Sequence, residues 1–176
     1  MIEKKEYISR RQELMSMMHK NSIAVISSAP EKVRSRDTNY PYKQNVNLTY
    51  LAGFPEPESV LVLIPDREDG QVILFCRDKD PLRETWDGYR EGPASAIKKY
   101  GFDDAFPISD IDDILPNLIE GKDRLYYAVG KDADFDKRIM DWVNHVKSQR
   151  GNGALPPGEF VCLLYTSDAA DERHCV

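Results

Sequence analysis

Two short apolar runs, Ser59–Ile64 and Gln71–Cys76, flank the turn Pro65-Asp-Arg-Glu-Asp-Gly70, and no other stretch constrains the fold as tightly. Strand-length runs joined by a turn that ends in Asp-Gly read as a β-hairpin, so at least one strand pair is antiparallel. Ser22–Ser27, Asn47–Leu51, Ala105–Ile108 and Arg124–Val129 read as further strands. Helical patterns lie between them. Residues 6–18 place Tyr7, Leu14, Met15 and Met18 on one face. Ala94–Tyr100 predicts a short helix closed by Gly101. Ser109 can cap a helix bearing Ile111, Ile114, Leu115, Leu118 and Ile119, in which Pro116 fits poorly. An interior proline costs about 3 kcal/mol, so a kink or a late start at Asp113 is expected there. Phe135, Ile139, Trp142, Val143 and Val146 recur at helical spacing on a last helix, with Lys147 and Arg150 at its end and Gly151 as its stop. Strands interleaved with helices, one pair antiparallel, predict an α/β fold with a mixed sheet flanked by helices.

Size and charge narrow the function. At 176 residues, 41% hydrophobic and 31% charged, the chain is long enough for a core of its own. A net charge of −6 argues against phosphate neutralisation on a nucleic acid. No apolar run approaches the roughly 20 residues that span a bilayer. Met1-Ile-Glu-Lys-Lys-Glu6 lacks a signal-peptide core, which makes a cytoplasmic location the expectation. Cys76, Cys162 and Cys175 form no spaced pair that would suggest a disulfide framework or a zinc site.

Arg34–Glu58 is long, polar and rich in tyrosine, asparagine and proline. Segments of that length without regular structure are usually functional or disordered, and the prolines with Gly53 argue for order. The loop looks built to present side chains. Asp37, Tyr40-Pro-Tyr-Lys-Gln-Asn45, Tyr50, Gly53-Phe54 and Glu56-Pro-Glu58, with Arg10-Arg11-Gln12, Phe75-Cys-Arg77 and Glu84-Thr-Trp-Asp-Gly88, resemble the N-terminal domain of bacterial Xaa-Pro aminopeptidase. That family belongs to the creatinase and prolidase-like "pita-bread" metallopeptidases. The resemblance implies a ribonuclease H-like mixed sheet and runs to about Phe160. It divides the chain into an N-terminal domain over 1–150 and a linker over 151–161 toward a catalytic domain that is missing.

Residues 162–176 read differently. Cys162-Leu-Leu-Tyr-Thr-Ser-Asp-Ala-Ala-Asp-Glu172 is what the transposase adapter of short-read libraries, CTGTCTCTTATACACATCT followed by GACGCTGCCGACGA, encodes in its second frame. The tail is therefore expected to be an adapter-encoded artefact and is set aside from fold reasoning. Its Asp168, Asp171 and Glu172 against Arg173 account for two of the six net negative charges.

In the resembling family the metal ligands, usually loaded with two manganese ions, lie in the C-terminal catalytic domain. No cofactor and no catalytic residue is expected in this chain. The doublets Asp103-Asp104 and Asp112-Asp113 sit near helix starts, where the dipole favours acids. By resemblance, Asp37 would approach a neighbouring active site and attract a substrate ammonium or orient an arginine. Trp86 would line the cleft, where a flat apolar face suits a proline ring. Arg150 would lie near the domain junction. Tyr40 and Tyr42 are interface candidates. A structural role stands beside each: Asp37 as a loop cap, Trp86 as core, Arg150 as a helix-end cation. The implied parent releases the N-terminal residue of peptides with proline second, works as a homo-oligomer, and uses this domain to restrict its cleft. The alternative is a non-catalytic peptide-binding module built on a related domain. A free-standing nuclease would need strand-borne carboxylates, which the strands nearly lack.

Overall fold

Alternation along the apolar strands decides the layers. In the computed structural model, which describes residues 2–36 and 38–161, helix α1 (Lys4–Met17) leads into strand β1 (Ser22–Ser27). Ile23 and Val25 of β1 face one side and Ala24 and Ile26 the other, as the two-residue period of a strand requires. A small hairpin, β2 (Val33–Ser35) and β3 (Thr38–Asn39), and helix α2 (Val46–Ala52) come next. Strands β4 (Val60–Leu63) and β5 (Val72–Cys76) form the expected antiparallel hairpin, with Val62 opposite Ile73. Helices α3 (Pro81–Asp87) and α4 (Pro93–Tyr100) lead to β6 (Asp104–Pro107). A 3-10 turn at Ile108–Asp110 opens α5 (Ile111–Ile119), followed by β7 (Arg124–Tyr127), α6 (Ala133–Ser148), a second 3-10 turn (Gln149–Asn152) and β8 (Glu159–Val161).

The main sheet has the order β6-β5-β4-β1-β7-β8 and is mixed, with only β4 running against the rest. Both faces are covered, which is why β1, β4 and β5 read as continuous apolar runs. Val60, Val62, Ile73 and Phe75 pack against α5 and α6 through Ile111, Leu115, Ile139 and Trp142. Leu61, Leu63, Leu74 and Cys76 pack against α1, α2 and α4 through Met15, Leu48, Leu51 and Ala96.

That second layer is fastened by Arg11, which is 1% exposed. Its guanidinium donates to Leu51 O (3.1 Å) near the end of α2 and to Tyr100 O (3.3 Å) and Gly101 O (2.8 Å) at the end of α4. Helix C-termini leave carbonyls unpaired and carry partial negative charge, so two helix ends replace the carboxylate a buried cation would otherwise need. Burial lowers the Arg11 pKa to about 10, and it stays charged at neutral pH.

Three expectations are corrected. Asn47–Leu51, read as a strand from its Leu, Thr and Tyr content, is helix α2. Asn45 caps it by accepting from Asn47 N (2.9 Å), and Gly53 ends it in the left-handed region at φ 62°. Pro116 does not delay α5 to Asp113: the helix starts at Ile111 with Pro116 inside, buried along with Leu115 and Ile119. The Arg34–Glu58 loop is not free of regular structure, since it holds β2, β3 and α2. Of the residues read as linker, Glu159–Val161 pair in parallel with β7 as the sheet's edge. The tail, 162–176, lies outside the described residues, as does Asp37.

Candidate functional site

Because β4 alone is reversed, the chain leaves β1, β5, β6 and β7 at one end of the sheet and enters β4 at that same end. Open α/β sheets bind ligands at the carboxyl ends of their strands, beside the point where strand order switches sides. Here the switch falls at β1, flanked by β4 on one side and β7 on the other. A shallow groove at this end is bordered by Ser28, Glu31, Glu58, Asp132 and Arg138. Two long excursions rise from the same end.

The first joins β1 to β4 and is organised by neutral groups. Gln44 Oε1 accepts from Ala29 N (3.2 Å), Asn45 N (2.8 Å) and the Tyr42 hydroxyl (2.8 Å). Its Nε2 donates to Phe54 O (3.2 Å) and Glu56 O (2.8 Å). Asn45 Nδ2 ties the segment back to Ser27 O at 3.0 Å. Tyr42 is half-buried and its hydroxyl also donates to Ala29 O (3.2 Å); burial pushes that hydroxyl up to about 12. Tyr40 differs: its ring is exposed, with Arg34 5.9 Å from the ring centroid, and its backbone N–H donates to Lys32 O at 2.8 Å. Of the two tyrosines, Tyr40 presents its ring to solvent and Tyr42 turns its hydroxyl inward.

The second excursion, Arg77 to Glu91, leaves β5 and returns at α4, and charged groups hold its neck. Glu56 Oε1 accepts from Glu91 N (2.6 Å), while Oε2 lies 3.4 Å from Arg77 Nη2, both side chains buried. The Glu91 carboxylate, 4% exposed in the folded chain, accepts from Lys99 Nζ (2.6 Å), Tyr89 OH (3.4 Å) and Ser95 Oγ. Burial opposes its charge, but the hydrogen bonds from Lys99 and Ser95 prevail and hold its carboxyl below the usual range. Lys79 Nζ reaches Arg90 O (3.4 Å) and stands 4.5 Å from the Tyr89 ring centroid. Gly92 turns the chain at φ 74°, and a Cβ there would lie 3.2 Å from Lys79 Cβ, so the neck needs glycine.

Above this neck stands α3. Asp80 caps it, accepting from Leu82 N (3.1 Å) and Arg83 N (3.2 Å), and Pro81 supplies a first residue that needs no N–H partner. The helix buries almost nothing: Trp86 is 89% exposed and Leu82 83%. Trp86 is therefore not core, and the structural reading weighed for it fails. Arg150 follows α6, which starts beyond the carboxyl end of β7 and carries the chain back toward the start of β8. It is exposed, at the opposite end of the sheet from the Trp86 excursion.

Sequence reasoning missed Glu56, Gln44 and Glu91 as organising residues. Gln44 and Glu56 stood inside the quoted motifs, and Gln44-Asn45 before an i, i+3, i+4 apolar set was the visible signal of a capped helix. Among the described residues no group of three or more His, Cys, Asp or Glu side chains is placed to hold a metal ion. No helix there is long and apolar enough to cross a membrane. At this end the chain carries an exposed indole and an exposed phenol ring above a hydrogen-bonded scaffold.

Known proteins share this fold. The profile of the aminopeptidase P N-terminal domain matches residues 7–126. Xaa-Pro aminopeptidase of Escherichia coli K12 is 43% identical over 157 residues, 88% of this chain and 36% of that protein. The structure of Pseudomonas aeruginosa aminopeptidase PepP superposes with a TM-score of 0.91 at 55% identity, covering 94% of this chain and 37% of that one. Zinc-substituted E. coli aminopeptidase P in complex with product gives a TM-score of 0.88 at 35% identity, over 93% and 37%. The chain thus spans little more than a third of each of these three relatives, and it belongs to the aminopeptidase P N-terminal domain family.

Proposed function

We propose that this chain is the substrate-restricting domain of a manganese-dependent Xaa-Pro aminopeptidase whose hydrolytic centre lies in a separate catalytic domain. The observation that carries the reading is Trp86, a tryptophan 89% exposed on a helix whose base is buried and hydrogen-bonded. An indole held out in water on a fixed support is poised to be covered, and its flat face suits the ring of a proline residue. Asp37 would attract the substrate ammonium, Tyr40 and Tyr42 would serve the contacts of a homo-oligomer in the cytoplasm, and Arg150 would face the domain junction. The peptidase relatives, including Xaa-Pro aminopeptidase of Haemophilus influenzae, support this reading over a non-catalytic binding module.

In this reading the metal cage belongs to the catalytic domain, and this domain contributes shape and charge. The purified chain is expected neither to bind manganese tightly in calorimetry nor to cleave an Xaa-Pro peptide, and turnover by the chain alone would overturn the assignment. In a chimera where this chain replaces the matching segment of the Pseudomonas aeruginosa relative, Trp86→Ala should raise KM for Xaa-Pro peptides roughly tenfold with kcat little changed, as loss of uniform binding requires. An unchanged KM would remove Trp86 from the cleft.

A further inference from the structure

The two excursions meet at one residue. Glu56 lies near the end of the first, in the turn before β4, and it bonds to both. Its backbone carbonyl accepts from Gln44 Nε2 (2.8 Å) at the base of the first excursion and from Ser59 Oγ (2.9 Å) in its own turn. Its carboxylate takes both ends of the second excursion, Arg77 where the chain leaves β5 and the Glu91 N–H where it returns to α4. A buried carboxylate is costly unless paired and hydrogen-bonded, and such groups fix conformational specificity better than they add stability. Among the described residues Glu56 pairs with Arg77 at 3.4 Å and takes one short bond from a backbone amide. That is a weak way to stabilise a core and a direct way to fix a loop: closing a fifteen-residue excursion at its base removes most of its freedom.

We infer that Glu56 is a positioning residue, a shared clasp that sets the Trp86-bearing segment on the same support as the Tyr40-bearing one. Its side chain holds both ends of the second excursion and its carbonyl is tied to Gln44 within the first, which leaves neither segment free to shift at its base without the other. The consequence for catalysis rests on the reading of Trp86 given above; the clasp itself does not.

Hydrogen exchange on this chain separates the two. Glu56→Ala should speed exchange of the amides at the return of the second excursion, Arg90 to Gly92, by about tenfold, the loss expected when one net hydrogen bond goes. Exchange in β1 and β4 should stay within about twofold. Glu56→Gln keeps an amide oxygen for the Glu91 N–H and should restore most of the protection, which a bulk stability effect would not do. Gln44→Ala should loosen the first excursion and leave Arg90–Gly92 slow. Unchanged exchange at Arg90–Gly92 in Glu56→Ala, or equal acceleration of every strand, overturns the clasp. Should Glu56→Ala fail to fold, Glu56→Gln decides: protection within about threefold of the parent supports the clasp, and uniform loss across the sheet refutes it. In the chimera, Glu56→Ala should reproduce the KM rise of Trp86→Ala. If exchange rises but KM does not, the clasp stands and the role of Trp86 in the cleft falls.

Discussion

The two excursions at the carboxyl end of the sheet solve the same problem with different chemistry. The β1–β4 excursion is gathered by Gln44 and Asn45, neutral amides that satisfy carbonyls and N–H groups from Ser27, Ala29, Phe54 and Glu56. The Arg77–Glu91 excursion is gathered by Glu56, Arg77, Glu91 and Lys99, all of them charged. An amide hub keeps its donors and acceptors at every pH. A carboxylate neck depends on its charge, so one excursion should answer to acid and the other should not. Fixed anchoring beneath an exposed surface is common to both, and it is the surface residues, Tyr40 and Trp86, that are free to meet a partner.

The largest effect is expected at the amide hub. Gln44→Ala orphans several part-buried groups at once and should destabilise the chain by about 3 kcal/mol in urea unfolding, with the pH dependence of stability unchanged. A loss below about 1 kcal/mol would mean that water replaces the hub. Glu91→Gln should cost less, about 1 kcal/mol at neutral pH, because the amide keeps an acceptor for Ser95 and Lys99. Its sharper signature is in acid. The folded chain holds the Glu91 carboxyl below its ordinary 4.5, so the stability it adds is complete above that value and is lost as pH falls through the folded one. Stability measured from pH 6 down to pH 3 should fall less steeply in Glu91→Gln than in the parent, and parallel curves would remove the charged neck from the contrast.

Cys76 offers a smaller and more local readout. It closes β5 immediately before the neck, and burial pushes its thiol up to about 12. Iodoacetamide at pH 8 should leave the Cys76 peptide unmodified in the native chain, as mass spectrometry can show; rapid alkylation would mean that the neck opens in solution. The smallest effect is expected at the tip. Trp86→Ala should change stability by less than about 0.5 kcal/mol, as exposed positions do, so a change in peptide handling by that variant would be functional and not structural.

What the sequence made legible was whatever depends on near neighbours. Asp69-Gly70 announced the hairpin, the apolar runs announced a sheet covered on both faces, and Phe135 through Val146 announced α6. Asn47–Leu51 went astray because Leu, Thr and Tyr favour strands only weakly, while the Asn45 cap and the burial of Leu48, Leu51 and Ala52 on one face favour a helix. The exposure of Trp86 was hinted at by its charged neighbours. Glu56 left no such trace, because its partners lie 21 and 35 positions away and only the folded sheet brings them together. Spacing rules do not reach across that distance.

Arg11 has a consequence for the order in which the chain assembles. Its three acceptors lie 40, 89 and 90 residues along the sequence, and those carbonyls converge only once α2 and α4 have formed and ended. The guanidinium cannot be satisfied early, since loop-closure entropy must be spent before it finds partners. It therefore acts as a late lock: its removal should speed unfolding and leave the folding rate nearly untouched. The lifetime of the folded chain, as distinct from its equilibrium stability, would then rest in good part on one cation held by the ends of two helices.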